Sequence, residues 1–372
     1  MGKIGIVLPE NISAYQAGNI MENELNAMGY ETFVEYGNNM EEQIQQIETM
    51  INLGCNLLIC WAIEPEGGQY IFETAKEQGI AIIAFETLVQ NTDAIRYYVS
   101  FDYYNAGILQ GEYLRDKLDL DNVSDIRIAL FTAEIDDWRW NKIFSGAFEI
   151  LQPYLDDGKL IGEINYISDF SSEIAKSRMQ ELIDETGYDP YNLVYTAIYC
   201  SMDSYASGVI EALTEAGFDA SNMPLITGFG GSEKALENIA NGLQSMTIIV
   251  DFTEAAQRAA IVADKMLNGE DIDELTDEYL NNGNSDIPSG FANVTVFDSD
   301  SELNPVVLEK IEVVKQPNKL TYLRNERFDK TGMIVRAYYS NGATMEVTDS
   351  VNISPLIIKS KDTDVVISYE ED

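Results

Sequence analysis

The chain has 372 residues and a net charge of −40 at pH 7; 45% of its residues are hydrophobic and 10% are aromatic. A chain of this length and apolar content can form two or three domains with real cores, which excludes an intrinsically disordered protein. The excess of 63 acidic over 23 basic residues argues against binding to nucleic acid or to anionic membrane surfaces, and it favours a soluble monomer.

Apolar runs alternate with helical patterns from residue 3 to about residue 270. The runs are short and rich in Ile, Val, Leu and Phe, which is typical of parallel strands buried on both faces. The predicted strands are 3–8, 31–35, 56–62, 80–84, 97–101, 127–131, 160–166, 192–196, 224–227 and 246–250. Repeated strand–helix units predict open parallel sheets, and ten strands favour two sheets in two lobes.

A stripe of apolar residues at spacings of three and four predicts that one side of the first helix is buried. Gly29 is predicted to end this helix. The stripe consists of Ala14, Ala17, Met21, Leu25 and Met28. The segment "SFDYYNAG", from Ser100, follows a strand and precedes a helix pattern at 104–118. We interpret it as a crossing between the two lobes.

The character of the sequence changes after about residue 300. Residues 304–372 carry 9 basic and 11 acidic residues, whereas the other 303 carry 14 and 52. The runs "LEKIEVVKQP", "MIVRAYYSNGATMEV" and "DVVISYEE" read as strands, and Asn-Gly between two runs is a strong hairpin signal. The tail is therefore predicted to be a separate all-β module.

Signals for catalysis or for a cofactor are weak. The sequence has no histidine and only three cysteines, Cys55, Cys60 and Cys200. Cys55 and Cys60 flank the apolar stretch "NLLI" and are interpreted as small buried hydrophobic residues. The motifs of serine hydrolases, P-loop nucleotide binders and zinc proteases are missing, and "GFGGSE" at 228–233 predicts a tight turn before a helix. No cofactor and no metal are expected.

The segment "EIDDWRWN", from Glu134, is the most informative candidate site. It follows a predicted strand, so it lies at the edge of the sheet where α/β proteins bind ligands. Aromatic faces stack on sugar rings, and carboxylates and Arg bind hydroxyl groups. The candidate residues are Asp136, Asp137, Trp138, Arg139 and Trp140. The alternative interpretation is a solvated loop with one Trp packed in the core.

Other strand ends carry further polar candidates, each of which taken singly is more often a helix cap or a turn residue. They are Asn11, Tyr15, Glu86, Asp102, Asp203 and Asp251. Paired carboxylates are compatible with a glycosidase, and the same residues bind polyols without any reaction.

Several of these segments together resemble the type 1 periplasmic sugar-binding proteins, nearest to the xylose and multiple-sugar binders. The resemblance covers about residues 3–298 and rests on "IGIVLPE", "QIQQIETMINLGCNLLICWAIEP", "AKEQGIAIIAFETLVQN", "YYVSFDYYNAGILQGEYL" and "LQPYLDDGKLIGEI". It implies an α/β fold of two Rossmann-like lobes with parallel sheets, which close on a monosaccharide or polyol in the cleft between them. Asp102, Asp136, Asp137 and Asp203 match the polar positions of the family. Tyr15, Glu86 and Asp251 stand at or beside positions where the family carries other polar residues.

The resemblance also implies location and partners. It implies export, hence an extracellular, cell-surface tethered or periplasmic protein, and an ABC transporter permease or a membrane sensor as partner. Lobe 1 is expected at about 1–103 and 252–286, and lobe 2 at about 104–251 and 287–298. Residues 304–372 resemble a bacterial immunoglobulin-like module, so a surface sensor or adhesion protein is an alternative function. A carbohydrate-active enzyme that uses Asp136 or Asp137 is a further alternative, but the sequence favours a protein that is not an enzyme.

Overall fold

The computed structural model describes residues 2–133, 138–168, 171–301, 308–339, 344–348, 351–359 and 365–369. The helices are α1 (Ile12–Ala27), α2 (Met40–Asn52), α3 (Gln69–Glu77), α4 (Tyr103–Lys117), α5 (Trp138–Asp156), α6 (Ser172–Thr186), α7 (Asp203–Glu215), α8 (Glu233–Ala240) and α9 (Phe252–Asn268). Among the described residues, no helix has the length and apolar character needed to cross a membrane.

The strands alternate with these helices up to α9, except that the fifth strand follows the fourth directly, and after α9 the strands follow one another. The first ten are β1 (Lys3–Pro9), β2 (Glu31–Gly37), β3 (Leu57–Cys60), β4 (Ala81–Phe85), β5 (Tyr97–Phe101), β6 (Ile126–Ala133), β7 (Leu160–Ile167), β8 (Ala197–Cys200), β9 (Leu225–Ile226) and β10 (Met246–Val250). The remaining strands are β11 (Glu278–Asn281), β12 (Asp286–Ala292), β13 (Val294–Asp298), β14 (Leu308–Lys315), β15 (Ile334–Tyr339), β16 (Thr344–Glu346), β17 (Asn352–Ser354) and β18 (Val366–Ser368).

The chain folds into two compact units. The first comprises Met1–Ser100, Phe252–Gly290 and Leu303–Asp372, and the second comprises Phe101–Asp251 and Phe291–Glu302. The chain therefore passes from the first unit to the second before the last residue of β5, between Ser100 and Phe101, and it returns at Phe252, the start of α9. It passes to the second unit again at Phe291 and back at Leu303.

The first unit is built on a seven-stranded sheet in the order β11-β12-β5-β4-β3-β1-β2. Strands β1 to β5 pair in parallel, and β11 pairs antiparallel with β12. The residues of β3 and β5 are all buried, because helices cover both faces of a parallel sheet. The expected parallel α/β fold is thus confirmed for this part of the chain.

The second unit holds a four-stranded parallel sheet in the order β7-β6-β8-β9. Helices α4 and α5 pack unusually closely against each other. A Cβ on Gly107 would overlap the carbonyl oxygen of Ile143, and a Cβ on Gly146 would overlap that of Tyr104. Glycine on both helices therefore lets the two backbones come into contact.

The structure corrects three expectations from the sequence. The strand predicted at 192–196 is a loop, and the strand begins at Ala197, because a turn joins Asp189 to Asn192 and delays the pairing with β6. Met28 is not part of the buried stripe of α1: it is the C-cap and 41% exposed. Strands β11, β12 and β13 were not predicted, because their partly exposed, polar sequences lack a continuous apolar run.

Two smaller expectations are confirmed. The "GFGGSE" segment is a turn before α8, in which Gly230 and Gly231 adopt φ of 124° and 64° and Ser232 caps the helix. Cys55 and Cys60 are buried, as expected, and so is Cys200; all three are free, and burial raises the pKa of the Cys55 thiol to about 11.

The tail consists of antiparallel strands. Strands β14, β15 and β16 form one sheet, and β17 pairs with β18. The predicted hairpin pairs β15 with β16, while its Asn-Gly turn lies outside the described residues. A small core of Met333, Val335, Ala337 and Val347 holds the tail together. The resemblance of the tail to an immunoglobulin-like module stays a prediction.

Candidate functional site

Glu86 follows β4 in the first unit and has an unusual backbone. Its φ of 59° lies in the left-handed region, which a Glu residue rarely adopts. Two side chains of β5 hold it there: the Tyr98 hydroxyl donates to the Glu86 carbonyl at 2.7 Å, and the Ser100 hydroxyl donates to Glu86 Oε2 at 2.6 Å. Strained residues that the surrounding structure fixes in this way are typical of ligand sites.

Trp61 follows β3, the strand beside β4. Its ring stacks on Phe252 with centroids 5.4 Å apart and meets the edge of Phe85 at 5.7 Å. The buried Gln43 side chain fixes the loop, because its amide donates to the Trp61 carbonyl at 3.0 Å and accepts from the Ile63 amide at 3.0 Å. Trp61 is not among the candidate binding residues from the sequence, and its place in this loop makes it one.

Asn11 and Tyr15 follow β1. Asn11 is the N-cap of α1, where its side chain accepts from the Ala14 amide at 2.9 Å. Tyr15 is buried, its hydroxyl donates to Glu10 at 3.2 Å, and its ring lies 4.2 Å from that of Tyr36. Tyr15 also lines a groove of about 620 Å³ that the tail residues Arg336 and Thr348 help to form. Through these contacts, both residues stabilise the structure of the first unit.

An aromatic cluster forms at the carboxyl edge of the second unit. Tyr103, the first residue of α4, contacts Trp138 at 5.7 Å with nearly perpendicular rings and contacts Phe229 at 5.7 Å. Trp140 meets the edge of Phe229 at 5.9 Å, and the Arg139 guanidinium lies over Trp140 at 5.9 Å. The two tryptophans are half-buried, so one side of the cluster packs on the core.

The structure thus brings together Trp138, Arg139 and Trp140 as the sequence suggested, and it adds Tyr103 and Phe229. The sequence did contain a signal for both additions. Tyr103 directly follows the candidate Asp102, and Phe229 lies in the glycine-rich turn at a strand end. Asp136 and Asp137, which precede the tryptophans, lie outside the described residues.

Asp102 begins α4. Its carboxylate accepts from the Asn105 amide at 2.9 Å, and its own amide donates to the Ala292 carbonyl at 3.0 Å. A capping carboxylate keeps further lone pairs available for other donors. Asp251 is exposed and immediately precedes α9. Among the described residues, no group of three or more Cys, Asp or Glu side chains is arranged to hold a metal ion.

Asp203 is buried, with 4% of its surface exposed, and its own unit occupies both carboxylate oxygens. Thr247 and Gln244 donate to Oδ1 at 2.7 and 3.3 Å, and the Ser232 amide donates to Oδ2 at 2.8 Å. Burial raises the pKa of this carboxyl, and the three hydrogen bonds partly offset the effect. The geometry makes Asp203 the anchor of the turn at 228–232.

The raised pKa predicts how Asp203 affects stability. The folded protein holds the proton more tightly than the unfolded chain, whose carboxyl titrates near 3.8. The stabilisation from this group is therefore present below pH 3.8 and is lost as the pH rises through the folded pKa. Relative to Asp203→Asn, which does not titrate, the wild-type free energy of unfolding should fall with rising pH. Urea unfolding of both proteins at several pH values measures the two free energies of unfolding. A wild-type value that rises with pH relative to the Asp203→Asn value would contradict the prediction.

Comparison with known proteins assigns the chain to a family. The sequence profile of the periplasmic binding protein domain matches residues 4–271. The chain belongs to the periplasmic binding protein family. Members of this family are solute receptors rather than enzymes, in agreement with the expectation from the sequence.

Relatives of this binding protein are described as sugar-binding proteins. It is 30% identical over 299 residues to the multiple sugar-binding periplasmic protein SbpA of Azospirillum brasilense, with 77% of this chain and 83% of the relative covered. It is 30% identical over 296 residues to the D-xylose-binding periplasmic protein of Escherichia coli, with 77% and 84% covered.

A solved structure supports the same family. An ABC transporter solute-binding protein from Clostridium phytofermentans, with bound β-D-glucose, shares 31% identity with this binding protein at a TM-score of 0.67. The alignment covers 80% of this chain and 94% of that one. The resemblance noted in the sequence is therefore confirmed for the binding-protein part of the chain.

Proposed function

We propose that this binding protein captures a monosaccharide or a related polyol outside the cytoplasm and delivers it unchanged to an ABC-type transporter. The observation that carries the proposal is the solved relative, which is 31% identical over 80% of this chain and holds β-D-glucose. The sugar-binding descriptions of two curated relatives at 30% identity support the same ligand class. A periplasmic or extracellular location follows from the same relatives.

Aromatic rings and carboxylates at the carboxyl edges of the sheets are the proposed sugar contacts. Trp138, Trp140 and Trp61 offer flat apolar faces for the C–H side of a pyranose. Glu86, Asp102 and Arg139 offer charged partners for its hydroxyl groups. Asp136 and Asp137 are proposed to join them, with Asn11, Tyr15, Asp203 and Asp251 as supporting polar positions. A neutral ligand suits this set, because sugar hydroxyls both donate to carboxylates and accept from guanidinium groups.

A titration with a panel of sugars tests the proposal. The chain has three tryptophans, and each belongs to one of the two aromatic clusters described above, so intrinsic fluorescence reports on both units. We expect D-glucose, D-xylose or another monosaccharide of the panel to change the fluorescence saturably and to raise the melting temperature. Amino acids serve as the control ligands. A panel that leaves both signals unchanged, or a response to amino acids alone, would argue against the function.

For the tail we propose an immunoglobulin-like module that spaces or tethers the binding protein at the cell surface. Its antiparallel strands and its own small core of Met333, Val335, Ala337 and Val347 support this assignment. We further propose a monomer, because the high negative charge disfavours self-association.

A further inference from the structure

Helix α1 carries a partly buried polar stripe in addition to its apolar one. Tyr15, Asn19 and Glu22 follow one another at spacings of four and three residues, so they share one face of the helix. Tyr15 is buried, and Asn19 and Glu22 are half-buried. Polar side chains that are covered along a whole helix face indicate that another part of the chain packs on that face.

The tail is the part of the chain that packs there. Strand β16 contacts α1, and the Asn19 side-chain amide donates to the Thr344 hydroxyl at 3.3 Å. Arg336 of the neighbouring strand β15 lines the same groove of about 620 Å³ as Tyr15 and Glu22. Both α1 and the tail belong to the first unit. The polar stripe is therefore a contact surface between the tail and the rest of this unit.

Tyr36 of β2 connects this contact with Tyr15. The ring centroids of the two tyrosines lie 4.2 Å apart, and the Tyr36 hydroxyl approaches α1 so closely that a Cβ on Gly18 would overlap it. Burial raises the pKa of Tyr36, the neighbouring Tyr15 and Glu22 raise it further, and Arg336 opposes these effects. The Tyr36 hydroxyl thus senses the charge of Glu22 on the helix and that of Arg336 on the tail.

The charges that line the groove are complementary. Glu10, Glu22 and Glu35 line it from the segment that contains β1, α1 and β2, and Arg336 is the one cation among the described lining residues. Because Arg336 is exposed, its attraction to these carboxylates is modest and is screened by salt. At low salt the attraction draws the tail toward α1.

We propose that the tail docks on the polar stripe of α1 through Arg336 and thereby holds Tyr15 in place at the sugar site. The inference rests on the proposed function, in which Tyr15 is a supporting polar position. The Tyr15 hydroxyl donates to Glu10 at 3.2 Å, so its ring is fixed between Glu10 and Tyr36. A side chain that is ordered before the ligand arrives loses less conformational entropy on binding, so a docked tail strengthens sugar binding. Arg336 is a positioning residue in this account.

Cross-linking of the full chain tests the docking without any sugar. Asn19→Cys with Thr344→Cys places two thiols at the contact, and a short bismaleimide joins them. Asn19→Cys with Arg324→Cys is the control, since Arg324 is exposed and lies outside the residues that line the groove. The native cysteines are buried. We expect the contact pair to link within one chain about tenfold faster than the control pair, as mass spectrometry of the peptides measures.

Charge reversal tests the effect on the sugar site. Arg336→Glu adds a carboxylate to the groove and should weaken binding of the tightest sugar of the panel about fivefold at low salt. Arg324→Glu makes the same change of charge outside the groove and should bind as the wild type does. Adding Glu22→Arg to Arg336→Glu exchanges the two charges and should restore most of the affinity. In the tail sheet Arg336 stands opposite Glu312 and Glu346. The added substitution leaves the tail unchanged, so recovery separates docking from damage to the tail.

The affinities are compared by isothermal titration well below the melting temperature of each variant. The proposal is overturned if the contact pair links no faster than the control pair, or if Arg336→Glu binds sugar as tightly as the wild type. It is also overturned if the exchanged charges restore no affinity. If no sugar binds the wild type, the proposed function fails, and the cross-linking rates alone then support or overturn the docking.

Discussion

Trp140→Ala is expected to weaken sugar binding about 30-fold, the largest single effect in the proposed site. A buried aromatic anchor typically contributes about 2 kcal/mol or more to binding, which corresponds to this factor. Trp140 is the candidate because its ring is held by Phe229 at 5.9 Å and flanked by the Arg139 guanidinium, so it is already oriented before the ligand arrives. Isothermal titration with the tightest sugar of the panel measures the change.

Two further variants separate loss of stacking from loss of folding. Trp140→Phe keeps an aromatic face against Phe229 and should retain most of the affinity. Tyr191→Ala removes an aromatic side chain that is 99% exposed and should leave the affinity unchanged. Equal affinities of wild type and Trp140→Ala, with unchanged thermal unfolding, would remove Trp140 from the site.

Gly146→Ala is expected to lower both the stability of the second unit and the affinity for sugar. The added Cβ would overlap the Tyr104 carbonyl oxygen and lie 2.9 Å from the Ile108 amide nitrogen, and backbone atoms cannot rotate away. Overpacking of this kind costs up to about 3 kcal/mol, and the better helix propensity of Ala returns about 1 kcal/mol. The net loss of about 2 kcal/mol should lower the melting temperature by about 4–8 °C.

The affinity should fall as well because this contact positions the site. Helix α5 begins with Trp138, and α4 begins directly after Asp102. Separating the two helices would therefore move the first residues of both, and with them Trp138 and Asp102. Ser145→Ala, on the exposed side of the same helix, is the matched control and should change neither quantity. Calorimetric unfolding measures the melting temperature, and sugar titration the affinity, of the wild type, Gly146→Ala and Ser145→Ala. A Gly146→Ala protein as stable as the wild type would show that α4 and α5 do not pack through these glycines.

The parallel core of the fold was predictable from the sequence because buried parallel strands leave an uninterrupted apolar run. Strands β1 to β6 follow such runs closely. Strands β11 to β13 do not, because antiparallel strands that are partly exposed carry polar residues such as Asn281 and Asp286. The strand expected at 192–196 was misplaced because Val194 and Tyr195 pack on the core from a loop, which gives the same apolar signal as a strand.

The candidate site was predictable in position more than in the role of each side chain. Strand ends located Glu86 in the first unit and Trp138 and Trp140 in the second, since the parallel strands of each sheet end at one edge of that sheet. The sequence did not show that three donors enclose Asp203, because Ser232, Gln244 and Thr247 approach it from other parts of the chain. It also did not reveal the rings of Tyr103 and Phe229, since their contacts depend on how α4 and the 228–232 turn are placed.

Equilibrium dialysis with radiolabelled glucose and xylose, followed by chromatography of the released sugar, addresses the central claim most directly. If the protein is a sugar receptor, it should retain one sugar per chain, and the sugar that leaves after denaturation should be identical to the sugar supplied. Failure to retain either sugar or any other labelled monosaccharide, or recovery of a chemically altered product, would contradict the account.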